Sequence, residues 1–162
     1  MAPLTLKIAG TIPESIVDGP GFRFAIFTQG CPHHCPGCHN PQTHDPNGGR
    51  TVSLLELMRQ IWHCRENLDG VTFSGGDPFC QPVPLYHLAR WCHRLRLNVM
   101  AYSGWTYEEL QGKADCLPLL SELDELVDGR FILAKRTLEM RFRGSSNQRL
   151  YHLSKGKVIS VE

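Results

Sequence analysis

Short apolar runs alternate along the chain with segments whose apolar residues recur at helical spacing. The runs are rich in aromatic and β-branched residues, which is typical of buried strands. They predict strands at residues 22–29, 71–74, 98–102 and 126–127, with a further candidate at residues 131–133. The first run lies between Gly21 and Gly30, and the second leads directly into Gly75, so turns bound both of them.

Helical periodicity fills the segments between these runs. Ser53 and Glu56 form a capping box at the start of one predicted helix. Pro84 fits the first turn of a second helix, because proline lacks the N–H that a first turn leaves unbonded. Thr106 and Glu109 form another capping box, which opens a short third helix. Strands that alternate with amphipathic helices predict βαβ units, and therefore an α/β fold with a parallel sheet.

Length and composition narrow the fold and the function class. The 162 residues suit one domain, whereas a complete eight-fold β/α barrel needs ~250 residues, so only a partial barrel is within reach. Hydrophobic residues make up 41% and the net charge is +1 with no polybasic run, so we expect a globular protein that binds no nucleic acid. Residues 1–10 lack the apolar stretch of a secretory signal, and no apolar run reaches ~18 residues, so we expect a cytoplasmic protein without a membrane span.

Three of the seven cysteines form a compact CxxxCxxC cluster. Cys31, Cys35 and Cys38 lie in a loop rich in proline, glycine and histidine that follows the first predicted strand. Their thiolates can converge on one centre, and thiolate is the ligand that zinc and iron–sulfur clusters prefer. Zinc usually takes four protein ligands, so a zinc site requires one of the nearby histidines as well, namely His33, His34, His39 or His44. Three thiolates alone suit a cluster of four irons in which one iron has no protein ligand.

A glycine-rich turn follows the second predicted strand. Residues 74–78 read Ser-Gly-Gly-Asp-Pro, and the two glycines allow the backbone to approach a ligand closely. Ligands of parallel sheets bind at the carboxyl ends of the strands. We therefore expect the cysteine loop and the glycine-rich turn to lie side by side at one edge of the sheet.

Several motifs resemble one superfamily in the expected order. Cys31, Cys35 and Cys38 match the cluster-binding motif of radical S-adenosylmethionine (radical SAM) enzymes, and residues 74–78 resemble the turn that holds the methionine moiety there. Residues 17–23 resemble the activases of glycyl radical enzymes. Two further segments resemble the activating proteins of anaerobic (class III) ribonucleoside-triphosphate reductases, namely residues 126–131 and 143–149. The resemblance spans about residues 17–152 of a chain that we expect to form a single domain, residues 1–162.

This resemblance implies a partial, open parallel β/α barrel and a defined chemistry. The three cysteines would hold one [4Fe-4S] cluster per chain, whose open iron is chelated by S-adenosylmethionine. Reductive cleavage would give methionine and a 5′-deoxyadenosyl radical, which takes a hydrogen atom from a glycine on the large reductase subunit. The electron would come from a donor such as flavodoxin or ferredoxin. No catalytic residue is implied beyond the cluster and the cofactor site, whose residues would be Gly37, His39, Ser74, Gly75, Gly76 and Asp77.

Some residues receive individual roles. Asp77 is the only carboxylate in its turn, so we expect it to pair with the ammonium group of the bound methionine moiety. Gly37 stands where most radical SAM enzymes carry an aromatic residue that packs on adenine, and we expect the ring of His39 to replace it. His33 and His34 are expected to face solvent or a partner. Cys80 either approaches the cluster edge or packs as a small apolar residue.

Four polar or aromatic residues are expected to border the site or the partner: Arg23, Trp105, Arg143 and Asn147. Three alternatives remain open. One is an activase of another glycyl radical enzyme, and one is another minimal radical SAM enzyme, such as a deazaguanine ring-contracting synthase. The third, from a different class, is a zinc-binding structural protein without catalysis. Metal content separates the enzymes from the structural protein.

Overall fold

The computed structural model describes residues 3–162, which contain one sheet of eight strands. The strands are β1 (Thr5–Ser15), β2 (Arg23–Thr28), β3 (Arg50–Ser53), β4 (Gly70–Gly75), β5 (Asn98–Tyr102), β6 (Glu125–Asp128), β7 (Arg149–Ser154) and β8 (Lys157–Val161). The α-helices of this region are α1 (Leu54–Cys64), α2 (Pro82–Arg94), α3 (Tyr107–Gln111) and α4 (Leu117–Ser121). Short 3₁₀ turns lie at Pro41–Thr43, Arg65–Asn67, Pro78–Cys80 and Leu133–Lys135.

The strands follow the order β3-β1-β2-β4-β5-β6-β7-β8, so β3 and β8 are the edges and the sheet is open. The central strands β2, β4, β5 and β6 are parallel to one another. The outer strands pair antiparallel with their neighbours. The prediction of an open α/β fold is confirmed, and its parallel strands are the four that the apolar runs indicate.

The helix starts follow the capping residues. The Ser53 side chain accepts a hydrogen bond from the Glu56 N–H at 3.1 Å, and the Thr106 side chain accepts one from the Glu109 N–H at 3.1 Å. Each bond satisfies a backbone donor that the first turn of a helix leaves free. Helix α2 begins at Pro82, so Pro84 lies in its first turn as predicted.

The sequence pattern misses several elements and misplaces one. Strands β1, β3, β7 and β8 and helix α4 are absent from the prediction, and residues 131–133 do not form the strand that their apolar pattern suggested. Strand β7 pairs with the outer edge of β6, which leaves residues 131–133 no strand partner there. Helix α4 carries Pro118 in its first turn, where a missing N–H costs no helical bond.

The two faces of the parallel strands have different surroundings. On one face Phe24 and Ile26 of β2 are fully buried in the core that α1 and α2 cover. On the other face Phe27, Ser74 and Tyr102 line an open cavity. The two faces alternate along each strand because successive side chains of a strand point to opposite sides. No helix within residues 3–162 is both long enough and apolar enough to span a membrane.

Arg23 lies at the amino-terminal ends of the parallel strands and is only 1% exposed. Its guanidinium donates hydrogen bonds to Thr72 Oγ1 at 2.7 Å and Asn98 Oδ1 at 2.6 Å. It also donates to the carbonyl oxygens of Pro20 at 3.0 Å and Val71 at 2.9 Å. Burial lowers the pKa of this guanidinium. The expectation that Arg23 borders a partner is therefore wrong, because its donors are used inside the protein to join β2, β4 and β5.

Candidate active site

The cysteine loop and the glycine-rich turn meet at the carboxyl-terminal edge of the parallel strands. The Gly76 N–H donates to the Thr28 carbonyl at 2.7 Å, and the Asp77 N–H donates to the Gly30 carbonyl at 2.8 Å. Cys31 continues from Gly30, so the first thiol is carried next to the turn. The parallel order of β2 and β4 produces this proximity, as the sequence pattern predicted.

One cavity of about 460 Å³ connects the three thiols to this turn. Its wall includes Cys31, Cys35 and Cys38 together with Ser74, Gly75 and Gly76. A volume of this size lies within the ~300–1,000 Å³ usual for small-molecule and cofactor sites. The cavity therefore has room for a ligand that touches both the thiols and the glycine-rich turn.

The two glycines are required by the backbone around them. Gly75 has a φ of +93°, a conformation that residues with a Cβ rarely adopt. A Cβ on Gly75 would collide with the backbone of Thr28, and one on Gly76 would collide with the carbonyl oxygen of Gly30. The turn thus lies directly against the backbone that leads into the cysteine loop, with no side chain between them.

The three thiols form a donor set that fits an iron–sulfur cluster. All three are partly exposed to the cavity. Burial raises the pKa of the Cys31 thiol to about 11, whereas a hydrogen bond from the His33 backbone opposes the shift. In the described part of the chain no three His, Cys, Asp or Glu side chains are grouped around a single metal-ion position. Three thiolates on one cavity wall are the ligands that a cluster with an open iron takes.

The Asp77 side chain does not reach the cavity. It is fully buried, and Oδ1 accepts a hydrogen bond from the Phe79 N–H at 3.0 Å. Oδ2 accepts from the Gly104 N–H at 2.9 Å and lies 2.7 Å from His33 Nε2, and the Ser103 hydroxyl donates to both carboxylate oxygens. The expectation that Asp77 pairs with the ammonium group of a bound ligand is therefore wrong, because its acceptor sites are already occupied within the protein.

The two histidines between the first two cysteines lie in different environments. The His33 side chain is 4% exposed and makes an edge contact with the Trp105 ring, with 4.6 Å between centroids. His34 is exposed and lies near His44, with 5.5 Å between ring centroids. The expectation that both face solvent or a partner is wrong for His33. No sequence signal distinguishes the two, since they are adjacent histidines in one loop.

The adenine-stacking prediction concerns Gly37 and His39. Gly37 has a φ of +75°, and a Cβ there would come within 2.9 Å of Leu133 Cδ1. The ring of His39 lies on the cavity wall 5.2 Å from the ring of Phe131, which also lines the cavity. Sequence reasoning placed Phe131 in a strand and missed it as a site residue. The role of His39 toward adenine stays a prediction.

The segment after Gly129 closes one side of the cavity. Arg143 and Gln148 line it, and Gln148 Oε1 accepts a hydrogen bond from the Gly144 N–H at 2.8 Å. Asn147 lies in a neighbouring cavity of about 500 Å³, where its Nδ2 donates to the Arg130 carbonyl at 2.8 Å. Its Oδ1 is buried and has no hydrogen-bond partner within the described residues.

Trp105 and Cys80 are both absent from the wall of the main cavity. Trp105, which was expected to border the site or the partner, packs against the apolar core and the His33 ring. Cys80 lines a separate cavity of about 610 Å³ that also touches Cys31. Burial raises the pKa of the Cys80 thiol to about 12. Cys80 thus lies in a second cavity that shares Cys31 with the main one, and its role toward the cluster stays a prediction.

The loop before β2 forms part of the cavity wall. Val17 and Asp18 line the cavity beside Tyr102, and the Thr72 hydroxyl donates to the Asp18 carbonyl oxygen at 2.9 Å. Burial and the nearby Asp18 carboxylate raise the pKa of the Tyr102 phenol above its usual range. The carboxylate of Asp18 accepts a hydrogen bond from the Ser15 hydroxyl. Tyr102 is a cavity residue that sequence reasoning assigned only to a strand.

Comparison with known proteins gives consistent matches over most of the chain. Residues 17–151 match the family model described as a 4Fe-4S single cluster domain. The anaerobic ribonucleoside-triphosphate reductase-activating protein of Escherichia coli K12 is 31% identical over 149 residues, which cover 87% of this chain and 95% of that protein. The protein of the same name from Enterobacteria phage T4 is 28% identical over 149 residues, covering 89% and 92%.

Two other matches are less extensive. The pyruvate formate-lyase-activating enzyme of Clostridium pasteurianum is 34% identical over 112 residues, which cover 64% of this chain and 47% of that enzyme. A crystal structure of QueE from Escherichia coli aligns with a TM-score of 0.49 and 17% sequence identity, over 63% of this chain and 53% of that chain.

Proposed function

Because the chain belongs to the family of anaerobic ribonucleoside-triphosphate reductase-activating proteins, we propose that it generates a glycyl radical on the large subunit of that reductase. It does so by reductive cleavage of S-adenosylmethionine at one [4Fe-4S] cluster per chain. The observation that carries this proposal is the cavity of about 460 Å³ whose wall joins three thiols to a glycine-rich turn. Its place of action in the cell is the cytoplasm.

Cys31, Cys35 and Cys38 are the residues that hold the cluster. A cluster bound there would supply the electron for cleaving S-adenosylmethionine into methionine and a 5′-deoxyadenosyl radical, and this radical would take the hydrogen atom from glycine Cα. Gly75 and Gly76 line the cavity without side chains, so the amino and carboxylate groups of methionine can approach the turn closely. The rings of Phe131 and His39 form part of the wall of the cavity that would hold the reacting groups.

The substrate glycine reaches the cavity from outside, on a loop of the partner protein. Val17 is 73% exposed and Arg143 is half-buried, and both line the cavity, so the wall there is open to solvent. An open wall suits a substrate that is part of another protein, since the partner completes the enclosure. We include Arg143 among the residues that contact this partner.

An electron donor such as flavodoxin or ferredoxin completes the reaction. The segment 130–143 carries five basic side chains and one acidic one, Arg130, Lys135, Arg136, Arg141 and Arg143 against Glu139. This segment borders the cysteine loop, because the space beside Gly37 is filled by Leu133. A basic surface beside the cluster favours the approach of an acidic electron carrier.

Metal content and product formation test the proposal. Protein reconstituted without oxygen should hold about four irons and four sulfides per chain. With S-adenosylmethionine and a strong reductant it should form 5′-deoxyadenosine, and Cys35→Ala should form none because one cluster ligand is lost. Stoichiometric zinc without iron would contradict the enzyme assignment.

The partner is tested separately. Mixing the reduced protein with S-adenosylmethionine and the anaerobic reductase should produce the doublet radical signal in electron paramagnetic resonance. The match to a pyruvate formate-lyase-activating enzyme makes formate-lyase the second candidate substrate. A signal on formate-lyase and none on the reductase would replace the proposed partner with this alternative.

A further inference from the structure

A buried carboxylate connects three segments at the edge of the cavity. Asp77 belongs to the glycine-rich turn after β4, and it accepts hydrogen bonds from Ser103 and Gly104, which follow β5. The third segment is the cysteine loop, whose His33 places Nε2 2.7 Å from Asp77 Oδ2. The side chains of His33 and Asp77 are 4% and 0% exposed, so the contact is closed to solvent.

The ring of His33 occupies a fitted position. Trp105 meets it edge to face, at an interplanar angle of 77°. A Cβ on Gly104 would collide with the His33 ring, so only glycine leaves space for it. Since a carboxylate only accepts hydrogen bonds, the shared proton lies on Nε2 of His33, which donates to Asp77.

The His33 side chain also attaches the segment between Cys31 and Cys35 to the glycine-rich turn. Before His33, the Cys31 N–H donates a hydrogen bond to the His44 carbonyl at 3.1 Å. After it, the Cys38 N–H donates to the Cys35 carbonyl at 3.1 Å, which closes a turn within the loop. Within the described chain, residues 32–37 donate no backbone hydrogen bond to another backbone group. Pro32, His34 and Pro36 are exposed, which leaves the His33 ring as the buried side chain between the first two cysteines.

We propose that His33 is a positioning residue, whose bond to Asp77 holds the loop that carries Cys31 and Cys35 against the glycine-rich turn. The bond sets the distance between the cluster and the ligand-binding backbone. This inference rests on the proposed function, since it assigns the cluster to these cysteines. His33 also lines the cavity, and the role proposed for it is exerted through the loop that carries the two cysteines.

Three variants separate the hydrogen bond from the ring and from the loop in general. His33→Phe keeps a flat ring and removes the donor, whereas His33→Gln keeps an N–H donor on a side chain of similar reach. His34→Ala is the matched control, because His34 is exposed and adjacent in the same loop. Circular dichroism and the thermal unfolding midpoint establish that each variant is folded.

The readouts are the rate at which a chelator removes iron from the reconstituted protein without oxygen, and the change that S-adenosylmethionine causes in the cluster's paramagnetic resonance spectrum. For His33→Phe we expect iron loss to be about ten- to hundredfold faster, the range that corresponds to one buried hydrogen bond to a charged group. The spectral change should be lost or need more S-adenosylmethionine. His33→Gln should recover most of both properties, and His34→Ala should equal the wild type.

Equal behaviour of His33→Phe, His34→Ala and the wild type would overturn the inference while leaving the proposed function intact. Loss of both properties in His33→Gln as well would also overturn it, since the hydrogen bond would then not be the cause. A wild-type protein that takes up no iron and sulfide would instead overturn the proposed function itself. If His33→Phe does not fold, His33→Asn replaces it, because its side chain is too short to place a donor where His33 Nε2 meets Asp77. Iron loss from folded His33→Asn at the same rate as from His34→Ala would then overturn the inference.

Discussion

The two ends of the parallel strands each hold a buried charged side chain, but only one of these ends carries a site. At the amino-terminal end Arg23 donates hydrogen bonds to neutral oxygens of β4, β5 and the preceding loop. At the carboxyl-terminal end Asp77 accepts hydrogen bonds from three segments beside the cavity. Both charges are bonded within the protein, which a buried charge requires.

The difference lies in what surrounds each charge. The strands around Arg23 are in direct contact, so its hydrogen bonds join them and leave no space. The segments around Asp77 are loops that bend away from the strand ends, and the cavity of about 460 Å³ opens between them. A buried acid at this end therefore positions the walls of the site, whereas the buried base at the other end only stabilises the sheet.

Asp77→Ala should give the largest effect, because several buried donors lose their acceptor together. We expect the free energy of unfolding to fall by about 3–5 kcal/mol, and cluster retention to be lost even where the protein is folded. Urea denaturation and iron analysis measure the two effects. Asp45→Ala is the control, since Asp45 is exposed and accepts one local bond from the Asn47 N–H. Equal losses in the two variants would contradict this role of Asp77.

Arg23→Met should reduce stability strongly and activity little. The variant leaves buried oxygens of Thr72, Asn98 and Val71 without a donor, so the free energy of unfolding should fall by about 3 kcal/mol. The folded fraction should still form 5′-deoxyadenosine within about twofold of the wild-type rate, because the cavity lies at the other end of the strands. Arg59→Met, at an exposed position of α1, is the control. A large loss of turnover at low temperature, where the variant is folded, would contradict the inference that Arg23 stabilises the sheet without affecting the site at the other end of the strands.

Gly76→Ala should have an intermediate effect that is local to the site. Its Cβ would collide with the Gly30 carbonyl oxygen, so the turn must shift at a cost of about 2 kcal/mol. We expect weaker binding of S-adenosylmethionine, measured by the cluster's spectral change during titration. Gly10→Ala is the matched control, since a Cβ there meets nothing within 4 Å. Unchanged affinity in Gly76→Ala would show that the ligand does not contact this turn.

The smallest effect is expected at a half-exposed charge cluster away from both ends. His93 lies 3.1 Å from Glu122 and 3.0 Å from Asp124, and its bond to Asp124 raises the pKa of its imidazole above the ordinary 6.5. A raised pKa means that this stabilisation is complete below pH ~6.5 and is lost as the pH rises through the folded-state pKa.

Solvent screening keeps this contribution below about 1 kcal/mol. Urea midpoints of the wild type and His93→Gln should therefore differ at pH 5.5 and converge at alkaline pH. A difference that grows with pH would reverse the assigned sign. Compared with the variants of Arg23 and Asp77, this variant measures how much less a half-exposed charge contributes to the free energy of unfolding than a buried one.

The parallel part of the fold could be predicted because it depends on local pattern. Strand β5 matches its predicted bounds, 98–102, and α1 and α3 begin after their predicted caps, Ser53 and Thr106. The outer strands could not be predicted in this way. All residues of β8 are exposed, so no apolar alternation marks it, and its pairing with β7 depends on the turn between them.

The sequence by itself determined the family, the three cysteines, the glycine-rich turn and their common edge, because spacing and strand order are properties of the chain. Only the tertiary structure decided what Arg23, Asp77 and His33 do. Each is a polar residue with no periodicity around it, and its role depends on donors and acceptors from segments that are distant in sequence. Asp77 and His33 are 44 residues apart, and their contact exists only because β2 and β4 lie side by side.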